Sequence, residues 1–296
     1  MNVANLTSAF EFGTPQWCEE ISYKIGEAVD ADSVAEFEEQ RPGRWHLGAS
    51  EIGHACTRKI WYSFRWVTWE RHTGAKHRLF NRGHSEEPKF IHRLRRVGFT
   101  VLDRDPHTGE QFRIAHPQNA HFGGSLDAKI YAPFMPANHA WMLGEFKTHN
   151  DSSFKAVVKD GVALSKPQHY GQMNSYGLKE GFNFGLYCAI NKNNDEIRWQ
   201  ITKLSHEQGR MLDDKAISII NSQTPPKRLS ENSAHRECKI CQHRGVCHLG
   251  IMPHKSCRSC QHSSAQPNGE WYCLLYAVWL ERSFVAEGCR DWTPVR

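Results

Sequence analysis

Apolar positions along the chain change their period twice. Between about 44 and 96 they recur at helical spacing, first in a stretch that Ser50 can cap. A second stretch over roughly 84–97 is set off by Asn81-Arg82-Gly83 and closed by Gly98. From there the pattern alternates. Phe99-Thr100-Val101-Leu102, Gln111-Phe112-Arg113-Ile114, Phe122 to Tyr131 and Trp141 to Thr148 read as four strands separated by Pro, Gly and Asn. The helical period returns over Lys166 to Lys179, with Pro167 in its first turn and Gly181 just past its end. Phe184 to Ile190 and Ile197 to Thr202 flank a polar turn, Asn191-Lys192-Asn193-Asn194-Asp195, and read as a hairpin. A last helix near 205–221 stops before Pro225-Pro226. Helix, strands, helix and hairpin predict an α/β core with a mixed central sheet flanked by helices.

The two ends differ from this core, taken as 44–229. Residues 1–43 read as an acidic leader with one amphipathic helix, ending at the turn-forming Arg41-Pro42-Gly43. The first 40 residues hold one lysine against nine acids, so the other 256 carry +13 although the whole chain has only +5. A body that basic suits a polyanion such as nucleic acid. Residues 230–296 hold seven of the ten cysteines and read as a metal-binding tail. The 10 Trp, 8 Tyr and 15 Phe exclude wholesale disorder, and no apolar run approaches a membrane span. Met1-Asn2-Val3-Ala4-Asn5 lacks the basic start of a secretion signal, so a cytoplasmic protein of a bacterial or phage-infected cell is expected. There, clustered cysteines point to metals over disulfides.

Two strand ends carry the sharpest chemistry: Gly123-Gly124-Ser125-Leu126-Asp127-Ala128 and Leu143-Gly144-Glu145-Phe146-Lys147-Thr148. Glu145 and Lys147, two apart on a strand, project from one face, while Phe146 points into apolar packing. If the strands pair, Asp127 lies beside Glu145. Two carboxylates and the Phe146 backbone carbonyl then make an all-oxygen site suited to Mg²⁺ or Mn²⁺, with Lys147 placed to hold a water or a phosphate oxygen. Gly123-Gly124 does not open a helix, so no nicotinamide or flavin fingerprint is present. Downstream, Gln168, Gln172 and Tyr176 recur every four residues and share a helix face.

This order of elements and residues resembles the PD-(D/E)xK nucleases of the RecB-like and lambda-exonuclease-like branch, over roughly residues 45–250. The resemblance implies a restriction-endonuclease-like core that hydrolyses phosphodiesters. It also implies that Glu87, with His84 and Glu86 as rivals in Arg82-Gly83-His84-Ser85-Glu86-Glu87, joins Asp127 and Glu145 at the metal. Gln172 and Tyr176 would then stand beside Lys147 and the DNA backbone. A residue other than proline precedes the first aspartate by one here, a departure the family tolerates.

Cys238, Cys241 and Cys247 form C-x₂-C-x₅-C, one thiolate short of a complete site, and Cys56 is the candidate fourth. RecB-like nucleases of the AddB and CRISPR-associated type show this split, which implies a [4Fe–4S] cluster. Such a clip joins positions 182 residues apart and acts by restricting the unfolded chain. Cys257, Cys260, Cys273 and Cys289 would suit a structural Zn²⁺, with Trp271, Trp279 and Trp292 packed around it. A rival partition, Cys238, Cys241, Cys257 and Cys260, has zinc-ribbon spacing, and five histidines (His235, His243, His248, His254 and His262) keep mixed sites open. Cys188, among Phe, Leu and Tyr, reads as a buried apolar residue.

Between Arg58 and Arg71, rings alternate with cations. Trp61, Phe64 and Trp69 fall near core spacing; Arg58, Lys59 and Arg65 are candidates to meet phosphates, with Arg93, Arg95 and Arg96 extending the track. The expectation is a Mg²⁺- or Mn²⁺-dependent deoxyribonuclease, foremost an exonuclease at DNA ends or single strands in recombination, repair or phage DNA processing. A recombinase or helicase would be its partner. The alternatives are an endonuclease of the same fold and a non-catalytic nucleic-acid-binding module.

Overall fold

The computed structural model describes residues 6–39, 44–69 and 72–295. The turn expected at Arg41-Pro42-Gly43 and the cation Arg71 lie outside them. The chain divides into two compact units, one from 1–43 and 70–88, the other from 44–69 and 89–296.

In the first unit, α1 (Pro15–Glu39) lies against the first part of α4 (Gly74–Arg96). Arg78 pairs with Asp30 at 2.7 Å, and Phe37 stacks on His77 with centroids 4.0 Å apart. The leader is thus one side of a helix pair. Asn81-Arg82-Gly83 does not interrupt α4, which runs through it and through Pro88. Gly83 is not among the glycines with positive φ, so nothing there demands a left-handed residue. The break comes at Gly98, φ +98°, as expected.

The second unit is built on a five-stranded mixed sheet in the order β2-β5-β6-β7-β8. Its strands are β2 (Thr100–Leu102), β5 (Ala128–Tyr131), β6 (Trp141–His149), β7 (Phe184–Asn191) and β8 (Ile197–Lys203). The pairings are antiparallel except β6 with β7, where Glu145 stands beside Tyr187 and Lys147 beside Ala189. A parallel pair needs a crossover. It is supplied by α5 (Asp151–Ser165) and α6 (Pro167–Glu180). The stretch read as one strand from Phe122 to Tyr131 is two: β4 (Asn119–Ser125) pairs with β3 (Arg113–His116) and, in parallel, with β1 (Leu47–Gly48), before the chain breaks at Leu126-Asp127. The hairpin β7–β8 and α7 (His206–Asn221) stand where the pattern placed them, α7 capped by Ser205 accepting from Gln208. The expected α/β core, a mixed sheet flanked by helices, is the observed one.

Each face of this unit has its own apolar cluster. On one, Phe90, Ile91 and Leu94 of α4 cover Ile130, Met142, Phe146 and Cys188. On the other lie α2 (Ala49–Ile52), α3 (Thr57–Phe64), α6 and α7, with Trp61, Phe64, Phe122, Met173 and Tyr176 buried together. The cysteine-rich tail belongs to this unit and is no separate appendage: its Trp271 and Val295 lie in the second cluster. Trp271 therefore packs on Phe64 and His121, correcting the expectation that it surrounds the tail's thiols, and Trp279 is exposed.

Candidate active site

Three groups, two of them on β6, meet where β4 hands over to β5. Fully buried Leu126 is fixed by its amide, which donates to the Phe112 carbonyl, and by its carbonyl, which accepts from Gln111. Asp127 follows, one residue before Ala128 pairs with Gly144, so it faces Glu145 across the sheet. Its Oδ2 accepts from the Phe146 amide at 2.8 Å. Lys147 Nζ stands 2.5 Å from Glu145 Oε1 and 3.6 Å from Asp127 Oδ2. Phe146 points to the opposite cluster and stacks on Phe90.

Glu145 is 0% exposed. A carboxylate so placed needs compensation from every side. Gln172 Nε2 of α6 donates to its Oε2 at 3.2 Å, while Lys147 holds the other oxygen. Burial alone would favour the neutral amine of Lys147, but Asp127 and Glu145 outweigh it and raise its pKa above the ordinary lysine value. One turn on, Tyr176 is buried with its hydroxyl against Gly124, where no larger residue fits. Burial, then Glu145 and Asp127, raise its pKa, so it stays a neutral donor. Gln168, the first of the four-spaced set, lines a separate polar cleft with Lys59 and Ser63. Glu87 and His84 stand on consecutive turns of α4 within the first unit, His84 Nδ1 3.5 Å from Glu87 Oε1.

Behind Lys147 lies a network the sequence reading missed. The Tyr187 hydroxyl bonds to His149 Nε2 at 2.8 Å and to His169 Nδ1 at 2.7 Å, and His149 Nδ1 meets Ser153 Oγ at 2.9 Å. Burial, then the lysines around it, Lys166 foremost, pushes His149 down to about 4. Burial, then Lys147, pushes His169 down to about 3. The signal available in the sequence was position: His149 is two residues beyond Lys147 on the same strand face.

Cys56, Cys238, Cys241 and Cys247 line one pocket. Cys56 caps α3, accepting from the Lys59 amide. Burial, then the neighbouring thiols Cys56 and Cys247, raises Cys238. Cys257 is pushed up to about 11 by burial, then by Cys289, Cys260 and Cys273. Cys56, Cys238, Cys241 and Cys247 are thus neighbours of one another, and Cys260, Cys273 and Cys289 are neighbours of Cys257. Among the described residues, no group of three or more His, Cys, Asp or Glu side chains meets as the ligands of a single ion.

Of the candidate phosphate ligands, Arg65 is excluded by burial. It is 1% exposed and bonds Ser263, Gln223 and the Arg258 carbonyl. Burial brings it down to about 10. Arg58 is turned inward, its Nε donating to the Pro226 carbonyl at 2.5 Å. Arg95 is held by Asp103 at 2.7 Å. Lys59 keeps a half-exposed ammonium on the polar cleft.

No family model and no curated protein matches the chain. Among solved structures it is similar to an alkaline exonuclease, LHK-Exo, from Laribacter hongkongensis: 15% identity over 64% of this chain and 90% of that one, TM-score 0.43. The same enzyme in complex with dAMP gives 14% identity, 60% and 86% coverage, and TM-score 0.40. SSO0001 gives 14% identity, 77% and 98% coverage, and TM-score 0.45. These are distant likenesses. Among the described residues no helix is long and apolar enough to cross a membrane.

Proposed function

We propose that this chain is a metal-dependent deoxyribonuclease, and foremost an exonuclease acting on DNA ends in the cytoplasm. The observation that carries the reading is the convergence of Asp127 and buried Glu145 on one ammonium, Lys147. The donors are hard oxygens of net negative charge, which fit Mg²⁺ or Mn²⁺. Asp127, Glu145 and the Phe146 carbonyl would hold the ion.

A divalent ion bound there supplies charge neutralisation at the phosphate and a more acidic water. The chain's own groups do the rest. Lys147, paired with both carboxylates, would stabilise developing negative charge and position the attacking water. Gln172 fixes the rotamer of Glu145, and Tyr176 keeps its proton to donate to the phosphate. The Cys56/238/241/247 set would suit a [4Fe–4S] cluster in donor chemistry. The Cys257/260/273/289 set would suit Zn²⁺ in donor chemistry. A recombinase or helicase would deliver or accept the DNA.

The test is digestion of end-labelled linear and covalently closed circular DNA with Mg²⁺ or Mn²⁺, by wild type, Glu145→Gln and Lys147→Met. Metal-dependent loss of the linear substrate alone, absent in both variants, is expected. Cleavage of the circle would favour the endonuclease. Equal, metal-independent behaviour of all three proteins would leave a binding module.

A further inference from the structure

We propose that the trough between the end of α4 and β8 docks an acidic, apolar peptide segment of a partner protein. The trough is open, with a volume of about 890 Å³. Leu94 and Val97 form its helix side; Leu186, Ile197, Trp199 and Ile201 form its sheet side.

Three features select the occupant. β8 is the last strand of the sheet, bonded to β7 on one side, and no described strand pairs with its other side. A free edge accepts an added strand through main-chain hydrogen bonds, alternate side chains filling a trough beside it. Ile197, Trp199 and Ile201 share one face of β8, while Gln200 of the other is held by the Val162 amide of α5. The rim is basic: Arg93 and Arg96, both exposed, border the trough, and exposed Lys203 follows Ile201 on the same strand face. The acids Asp195 and Glu196 stand before its first residue. Five aliphatic side chains outnumber its two rings, Phe99 and Trp199, so the trough favours a peptide over a nucleic acid.

The probe is a fluorescein-labelled octapeptide alternating Asp and Phe, with a Lys/Phe counterpart, followed by anisotropy on the full chain. The expected result is saturable binding of the acidic peptide alone, weakened at least tenfold by Arg93→Glu/Arg96→Glu and by Ile201→Asp. All three positions are exposed, so circular dichroism should match wild type in every variant, and DNA digestion should match it in Ile201→Asp. Affinity unchanged by charge reversal, or equal for the Lys/Phe peptide, overturns the proposal. So does displacement of the peptide by oligo-dT, which would make the trough a single-strand site. Concentration-dependent self-association lost in Ile201→Asp would assign it to a second copy of this chain and overturn it too.

Discussion

The Phe146 amide donates to Asp127 Oδ2 at 2.8 Å, so one hydrogen bond across the β5–β6 edge sets the distance between the two acids of the site. Asn at 127 can still accept that bond through its carbonyl oxygen. Asp127→Asn should therefore fold normally, melting within a few degrees of wild type. Its charge is gone, and DNA digestion should fall by about 10²–10³-fold, the scale of losing one preorganised charge-stabilising group. Retained activity at saturating Mn²⁺ would remove Asp127 from the site.

Acid should unfold this protein earlier than its carboxylates alone require. His149, 6% exposed, is held near 4 in the fold against about 6.5 when unfolded. The unfolded chain therefore binds more protons between those values, so stability is full above about pH 6.5 and is lost as pH falls toward 4. For His149 alone the loss by pH 5 is roughly 2 kcal/mol. His169 and His243, each pushed down to about 3 chiefly by burial, act in the same direction. Melting temperature measured from pH 7.5 to 4.5 should drop, and His149→Gln should flatten the curve. Parallel curves for the two proteins would show that His149 does not titrate on unfolding.

Much of the core was legible because its signals are local. The alternation around Glu145, the Pro167 and Gly181 boundaries and the β7–β8 turn all act within a few residues. What failed depended on distant contacts or weak faces. α5 was missed because its buried face is only Phe154, Val157 and Val162, broken by Gly161 at φ +70°; Asn150 accepting from Ser153 was the cap that could have marked it. The inward turn of Arg65 was not readable, since its partners lie more than 150 residues downstream. Neither was the pairing of thiols settled by spacing, which allowed two partitions.

The two buried arginines should behave as structural residues. Arg258, 0% exposed inside the Cys257–Cys260 loop, is caged by Trp66, Phe64 and Trp271 and donates to the Phe64, Arg44 and Trp45 carbonyls. Arg65 lies on the other contacts of Trp61 and Trp271. Replacing either by Met strands several buried carbonyls, each costing about 1–3 kcal/mol. Urea unfolding should show a loss of at least about 3 kcal/mol for each. Lys59→Ala should leave stability nearly unchanged and lower the salt slope of DNA binding by about 1. A lowered slope with unchanged stability in Arg65→Met would restore that arginine as a phosphate ligand.

The cysteine sets make separable predictions because they sit on different elements. Cys56 and Cys247 join the start of α3 to the segment after α7, whereas Cys273 ends β10 (Trp271–Cys273) of the small sheet with β9 (Ser263–Ala265) and β11 (Val278–Leu280). Anaerobically purified wild type should be brown and hold iron, sulfide and one zinc. Cys247→Ser should lose colour and iron and keep zinc; Cys273→Ser should do the reverse. Since closing a long loop by a metal group restricts the unfolded chain, the first variant should lose more stability than the second. Chelation with a strong zinc ligand should lower the melting temperature of wild type without bleaching it. A colourless wild type with two zinc ions per chain would replace the cluster by a second zinc at the same four thiols. Loss of both metals from either variant would mean that the two sets fold as one.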